Sequence, residues 1–273
     1  MNNPGYDTSK TFEGIESFQE RIVAFVDAMG IRERMKNANT PQDLKAFSQL
    51  MYMFGNQPFA YDKIQSVMFS DCMYLVAEPQ YVNQLICLLS NFAYNLLVNR
   101  TTSINCNLDG TINDEIRWDC IKLRGGITYG KVLVLDEEAK KKKINSNFNM
   151  VLGPATIDAY NLESKLAIYP RIIIDDSFLT LLKQLNLPCI EHCFVRDDID
   201  DIFYLDFWRY MFKGEKGPLD FLSGCIEYVN NEYRVANEAG DTKLIIKLKW
   251  YIDYLEKCRV NGWGDSKSFD YKK

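Results

Sequence analysis

No stretch of this 273-residue sequence approaches the ~20 consecutive apolar residues that cross a bilayer. The N-terminus does not join a basic flank to an apolar core and a small-residue cleavage site, so a cytoplasmic chain without a membrane partner is expected. Positive charge is also short: 32 Lys and Arg against 37 Asp and Glu leave a formal charge of −5. Binding along a nucleic-acid backbone needs a basic stripe, and none is present. The eight cysteines are not paired into a disulfide framework; Cys72, Cys87 and Cys225 lie inside apolar segments and read as reduced, core-filling thiols. The one local cluster, "PCIEHC", offers Cys189, His192 and Cys193 without a second cluster to close a tetrahedral zinc site, so a structural role is expected. Internal repeats and low-complexity segments are absent as well.

What is present alternates between strand and helix periods. "RIVAFVD" (21–27) reads as a buried strand, and "TPQDLKAFSQLMYMFGNQ" (40–57) as a helix opened by a threonine cap. "KIQSVMFSDCMYLVAE" (63–78) reads as two strands joined tightly at Ser70 and Asp71, and 81–98 as a nearly all-apolar, buried helix. A polar insertion follows, then a strand pair over 121–136 whose glycines mark a bend or a close backbone approach. The run Lys140 to Lys143 reads as a solvated loop. A Gly-Pro turn opens a helix within 151–167, and a strand follows at 169–175. This order predicts an α+β sandwich with a largely antiparallel sheet. After about residue 215 the pattern becomes helical, which divides the chain into a unit over 15–212 and a helical appendage over 213–273.

The chemistry rests on acids that finish apolar strands. A lone acid there, such as Asp27 in "FVDAMG", is ordinarily a turn or a helix cap. Asp71, 44 residues further on, follows "VMFS" in the same way. Two neighbouring strands of an antiparallel sheet, each ending on an acid, can share a pair of cations. Two hard oxygen ligands suit Mg²⁺ or Mn²⁺, which leave positions open for water and substrate phosphates. That arrangement serves phosphoryl transfer.

"FVDAMG", "FSD", "LRGGITYG" and "GPATIDAYNLES" together resemble, in order and rough spacing, the class III nucleotidyl cyclase catalytic domain over residues 20–176. Within it the nearer resemblance is to the Pycsar cyclases, bacterial anti-phage enzymes that make cyclic pyrimidine mononucleotides. It is carried by "FSD", "RGGITYG", "GPA…AY.LE" running into "YPRI", and the aromatic helical tail "KLKWYIDYL". The resemblance implies a class III cyclase-like fold and two metal acids, Asp27 and Asp71, with the carbonyl of Ala28 as a further ligand. It also implies that Gly30, Ile31 and Arg32 cradle a nucleoside triphosphate, and that a homodimer completes each site.

Two departures accompany it. Counted from Gly153, the family's transition-state asparagine falls on Ile157 and its arginine on Asn161. Asn161 is then a weaker donor, Arg124 or Arg171 has taken the role, or turnover is slow, since losing an aimed donor commonly costs ~10²–10³ in rate. The positions that read a purine base are Val67 and Met150. Their apolar side chains cannot pair with a purine edge, which favours UTP or CTP. Gln65 shares a strand face with Val67 and could read a pyrimidine, while Tyr61 or Phe59 could stack on it or simply fill the core. A purine cyclase, a catalytically silent cyclase-fold module and another palm-type enzyme stand as alternatives, the last without a "GGDEF"-like turn.

Overall fold

A computed structural model describes residues 18–40, 45–56, 61–98, 100–106, 112–118, 120–134, 151–212 and 219–261. Strand β1 (Gln19–Met29) is the centre of the architecture. Its side chains alternate between two faces, as the two-residue period requires. Ile22, Ala24, Val26 and Ala28 enter one apolar cluster, and Val23 and Phe25 enter another on the opposite side.

After β1 come α1 (Ile31–Asn37) and α2 (Lys45–Asn56), then the hairpin β2 (Ile64–Phe69) and β3 (Cys72–Ala77), and helix α3 (Val82–Leu97). The segment expected as a polar insertion instead forms a hairpin of its own, β4 (Arg100–Cys106) with β5 (Ile112–Trp118), registered from Arg100 opposite Trp118 to Cys106 opposite Ile112. Strand β6 (Lys122–Val134), short β7 (Val151–Leu152), α4 (Pro154–Asn161) and a π-helical turn over Leu162–Leu166 follow. The chain continues through β8 (Ile172–Ile174), α5 (Asp176–Leu185), α6 (Pro188–Glu191), β9 (Phe194–Arg196), β10 (Phe203–Leu205) and α7 (Phe207–Phe212). It ends in the long helices α8 (Leu219–Glu238) and α9 (Thr242–Asn261).

The main sheet has the order β2-β3-β1-β6-β8-β10-β9, with β7 against β6. Every pairing is antiparallel except β6 with β8. The α+β reading with a largely antiparallel sheet therefore stands. One face buries the larger core against α3, α5, α8 and α9, with Leu85, Leu89, Phe92, Phe178, Leu222 and Leu255 all buried there. On the other face, α4 packs Ala155 and Ala159 over Val23, Phe25 and Val132. Both C-terminal helices share the larger core through Cys225, Val229, Leu248 and Tyr254.

The expected strand pair over 121–136 is one strand of 13 residues, β6. Its glycines mark close approach instead of a break. A Cβ on Gly126 would stand 2.3 Å from the Cβ of Leu162 and 2.8 Å from the carbonyl of Ala159, because α4 and the π turn ride directly on the strand. Gly126→Ala is therefore expected to cost about 1–3 kcal/mol by overpacking, read as a lowered urea midpoint at unchanged slope. An unchanged midpoint would show that α4 can lift off the strand freely.

Candidate active site

Asp27 does not finish β1. It lies two residues inside the strand, opposite Cys72 of β3 and Arg124 of β6, and its side chain takes the α4 side with Phe25. Asp71 and Ser70 form the two-residue turn between β2 and β3, where Ser70 adopts φ 57°. The strand carrying "VMF" is not the neighbour of β1, because β3 lies between them. Asp71 reaches Asp27 through the turn, and its carbonyl accepts a hydrogen bond from the Ala28 amide at 3.1 Å. The two acids do come together, by a connection different from the one the strand ends implied.

Arg124 fills the space beside Asp27. Its Nε and Nη2 donate to Asp27 Oδ2 at 3.2 and 3.1 Å. Glu163, buried at the start of the π turn, holds Oε1 2.5 Å from the same Arg124 Nε, outside hydrogen-bond alignment. Burial raises the Asp27 carboxyl above its ordinary value; Arg124 opposes that shift and Asp71 adds to it. Glu163 is raised by burial too, again opposed by Arg124 and reinforced by Asp27.

The sign follows from linkage. A carboxyl raised on folding adds stability in full below its ordinary range and loses it as pH rises through the folded value. Near neutrality the ionised Asp27 is a cost to the fold, and a cation bound there would remove that cost.

Cys72, expected as a core thiol, is half-buried beside these acids and donates to the carbonyl of Phe69 at 3.1 Å. Burial, then Asp27, Asp71 and Glu163, push its thiol up to about 12, so it is no thiolate nucleophile near neutrality. Cys225 is buried as expected and Cys87 only partly.

Gly30 takes φ 83° at the entry to α1, Ile31 is buried in the larger core, and Arg32 is exposed yet lies within the electrostatic reach of Asp27. Gln65 and Val67 pair with Val76 and Tyr74 and so share the Asp27 face. Both have β3 between them and β1, and Gln65 sits toward the far end of β2. Gln65 is four residues from Phe69, roughly 13 Å along the strand, so one chain does not bring it to Asp27. Tyr61 is not brought there either: it packs against the larger core, with its hydroxyl 3.4 Å from Cys87 Sγ and 3.5 Å from Asn91 Nδ2. Met150, Phe59 and the lysine run 140–143 lie outside the described residues.

On α4, Asn161 is half-buried while Ile157 and Tyr160 are exposed. Of the two alternative cations, Arg171 is committed elsewhere. It is buried, paired with Asp197 and Asp200, and packed over Tyr169, Tyr204 and Trp250. Arg124 alone lies beside the acids.

Among the described residues, no group of three or more His, Cys, Asp or Glu side chains is arranged to hold a metal. Asp27, Asp71 and the Ala28 carbonyl would supply only part of an oxygen set. Mg²⁺ and Mn²⁺ commonly complete such a set with water and phosphate oxygens, and the like charge of Asp71 against a buried Asp27 fits a cation between them. Sequence reading missed Glu163 and Cys72 as neighbours of this pair. Glu163 had a signal, the acid that closes "AYNLE".

No protein-family model matches the chain, and no curated protein sequence matches it. Solved structures do. The guanylyl cyclase domain of the RhoGC fusion protein from the aquatic fungus Blastocladiella emersonii is 14% identical, covering 70% of this chain and 95% of its own, with a TM-score of 0.46. The guanylate cyclase domain of RhGC from Catenaria anguillulae, in complex with GTP, is 14% identical over 69% of this chain and 95% of its own, TM-score 0.41. The adenylyl cyclase CyaB from P. aeruginosa is 15% identical over 68% of this chain and 92% of its own, TM-score 0.42. These are likenesses of fold.

Proposed function

We propose that this chain is a class III-like nucleotidyl cyclase that converts UTP or CTP to the 3′,5′-cyclic mononucleotide and pyrophosphate, as a second messenger in anti-phage defence. The observation that carries the chemistry is the pairing of Asp27 with Asp71 through the Ala28–Asp71 backbone hydrogen bond. With Ala28 they would hold two divalent ions, which supply charge neutralisation at the triphosphate and lower the pKa of the attacking hydroxyl. The ribose 3′-hydroxyl gives its proton to water, its oxygen forms a bond to the α-phosphorus, the bond from that phosphorus to the bridging oxygen breaks, and pyrophosphate leaves with the electron pair. Arg124, braced by Glu163, keeps Asp27 oriented and partly neutralised before substrate arrives. Residues Gly30, Ile31 and Arg32 border the path of the triphosphate, and Arg32 adds positive charge.

A complete site needs two chains in this reading. Gln65 and Val67 are held on edge strand β2, with β3 between them and the strand that carries Asp27. The same face exposes Phe69, Ile157 and Tyr160. Phe69 and Tyr160 both pack on Phe25, at 6.5 and 5.5 Å, so the exposed apolar groups are anchored to the strand that carries Asp27. A homodimer would cover this patch and bring the base-reading and transition-state positions of one chain to the acids of the other. The catalytic unit is taken as 15–212, with 213–273 as its helical extension.

The test is to incubate the full chain with Mn²⁺ and each of ATP, GTP, CTP and UTP and to identify products by mass. UTP or CTP should turn over at least about tenfold better than the purines, roughly 1.4 kcal/mol of discrimination, which one polar contact can supply. ATP as best substrate would overturn the pyrimidine reading. Binding without any cyclic product would favour the silent module, for which the exposed Ile157 in place of an asparagine speaks.

A further inference from the structure

We propose that Glu163 is the positioning residue that draws Arg124 off Asp27 when a divalent cation binds there; this rests on the cyclase reading above and says how its first acid is freed. Asp27 Oδ2 accepts two hydrogen bonds from Arg124, from Nε at 3.2 Å and from Nη2 at 3.1 Å. A guanidinium and a divalent ion do not share one carboxylate oxygen at such range, because like charges repel and the ion needs the lone pairs that the N–H groups hold. Arg124 therefore has to yield. Its side chain is only 27% exposed, so leaving it without an acceptor is costly.

The acceptor is already in place. Glu163 Oε1 stands 2.5 Å from Arg124 Nε, off the line of the N–H, and is a buried oxygen with no hydrogen bond of its own. The Glu163 side chain is 4% exposed, and among the described residues Arg124 is its one ion-pair partner. A turn of the guanidinium that gives up Asp27 Oδ2 and aligns Nε with Glu163 Oε1 replaces one charge-assisted hydrogen bond by another.

Backbone geometry holds Glu163 ready for this exchange. Arg124 and Gly126 are two residues apart on β6 and share a face, Arg124 opposite Asp27 and Gly126 opposite Phe25. The missing side chain of Gly126 lets the π turn settle on the strand: a Cβ there would lie 3.2 Å from the Glu163 amide nitrogen. The two acids thus meet one arginine from two held segments, β1 and the π turn, while the arginine has the rotatable bonds.

The experiment is titration of the nucleotide-free full chain with Mn²⁺, the free ion being read by electron paramagnetic resonance. Asp27→Asn identifies the binding that belongs to this site, and a thermal scan checks each variant for folding. Glu163→Gln keeps the shape and removes the charge, so Arg124 stays on Asp27 and Mn²⁺ should bind about tenfold more weakly. Arg124→Met should bind Mn²⁺ at least as tightly as the native chain, and adding Glu163→Gln to it should change the affinity by less than about twofold. Should Glu163→Gln not fold alone, Glu163→Asp takes its place: it keeps the charge but withdraws it from Nε, and should also weaken Mn²⁺ only while Arg124 is present. Equal weakening with and without Arg124 would make Glu163 a plain source of negative charge and overturn the proposal. Unchanged affinity in the Glu163 variant overturns it too, as does a native chain that takes up no Mn²⁺ at Asp27. Cyclic product from a chain whose two effects simply add leaves the cyclase reading standing without the exchange. The predicted dependence on Arg124 in a chain that cyclises no nucleotide leaves the exchange standing and sinks that reading.

Discussion

Asp71→Ala should lose at least about three orders of magnitude of cyclic product while melting close to the native temperature. Removing one oxygen ligand from a cation pair forfeits several kcal/mol of transition-state stabilisation, and each ~1.4 kcal/mol is tenfold in rate. The fold should survive because the contact Asp71 makes to β1 uses its backbone carbonyl, which alanine retains. Product quantified by mass spectrometry, beside a thermal scan, separates the two effects. Full activity in the variant would exclude the two-metal reading. The same variants examine the dimer: Asp27→Ala mixed with Asn161→Ala should regain part of the activity, because some heterodimers hold one intact site. No recovery, with both variants folded and paired, would place the two residues in the same half-site.

Arg171→Met should lower the thermal midpoint by on the order of 10 °C, from a destabilisation of about 3–5 kcal/mol. The guanidinium is buried beneath Tyr169, Tyr204 and Trp250 and pairs with Asp197 and Asp200. Methionine fills much of the volume but leaves Asp197 charged and buried, with Trp250 Nε1 and the Ile199 amide as its remaining donors. Asp200 is more exposed and can turn to water. Adding Asp197→Asn should recover part of the loss, since the penalty lies in the unpaired charge. A single variant as stable as the native chain would show that the acids relax out of the core.

The parts of the fold that could be read in advance are those decided by local chemistry. β1 is a short continuous apolar run, as a strand buried on both faces requires, the Ser70–Asp71 break marks a hairpin between two apolar runs, and α3 is apolar on nearly every side. Gly125 and Gly126 were legible as a bend or a close approach, and the close approach holds; the division into two strands failed because the helix that presses on Gly126 is not visible in sequence. The β4–β5 hairpin was missed because its polar residues carry no clear apolar alternation. At the candidate site, both acids were named in advance and the fold brings them together, but Arg124 and Glu163 come from distant segments, and only the folded sheet with its π turn brings them beside Asp27.

The turn between β2 and β3 also acts as a ruler. Its two residues leave no slack: Phe69 and Cys72 are still paired, and the tip is tied to Ala28. One added residue would displace the Asp71 carboxylate by roughly the 3.4 Å rise of a strand residue, well beyond a Mg²⁺–oxygen bond of about 2.1 Å. Loop length here is thus a chemical quantity. Surface turns elsewhere on the sheet can drift by insertion, whereas this one can change composition at Ser70 only among residues that accept a left-handed backbone, and cannot change length without carrying Asp71 away from Asp27.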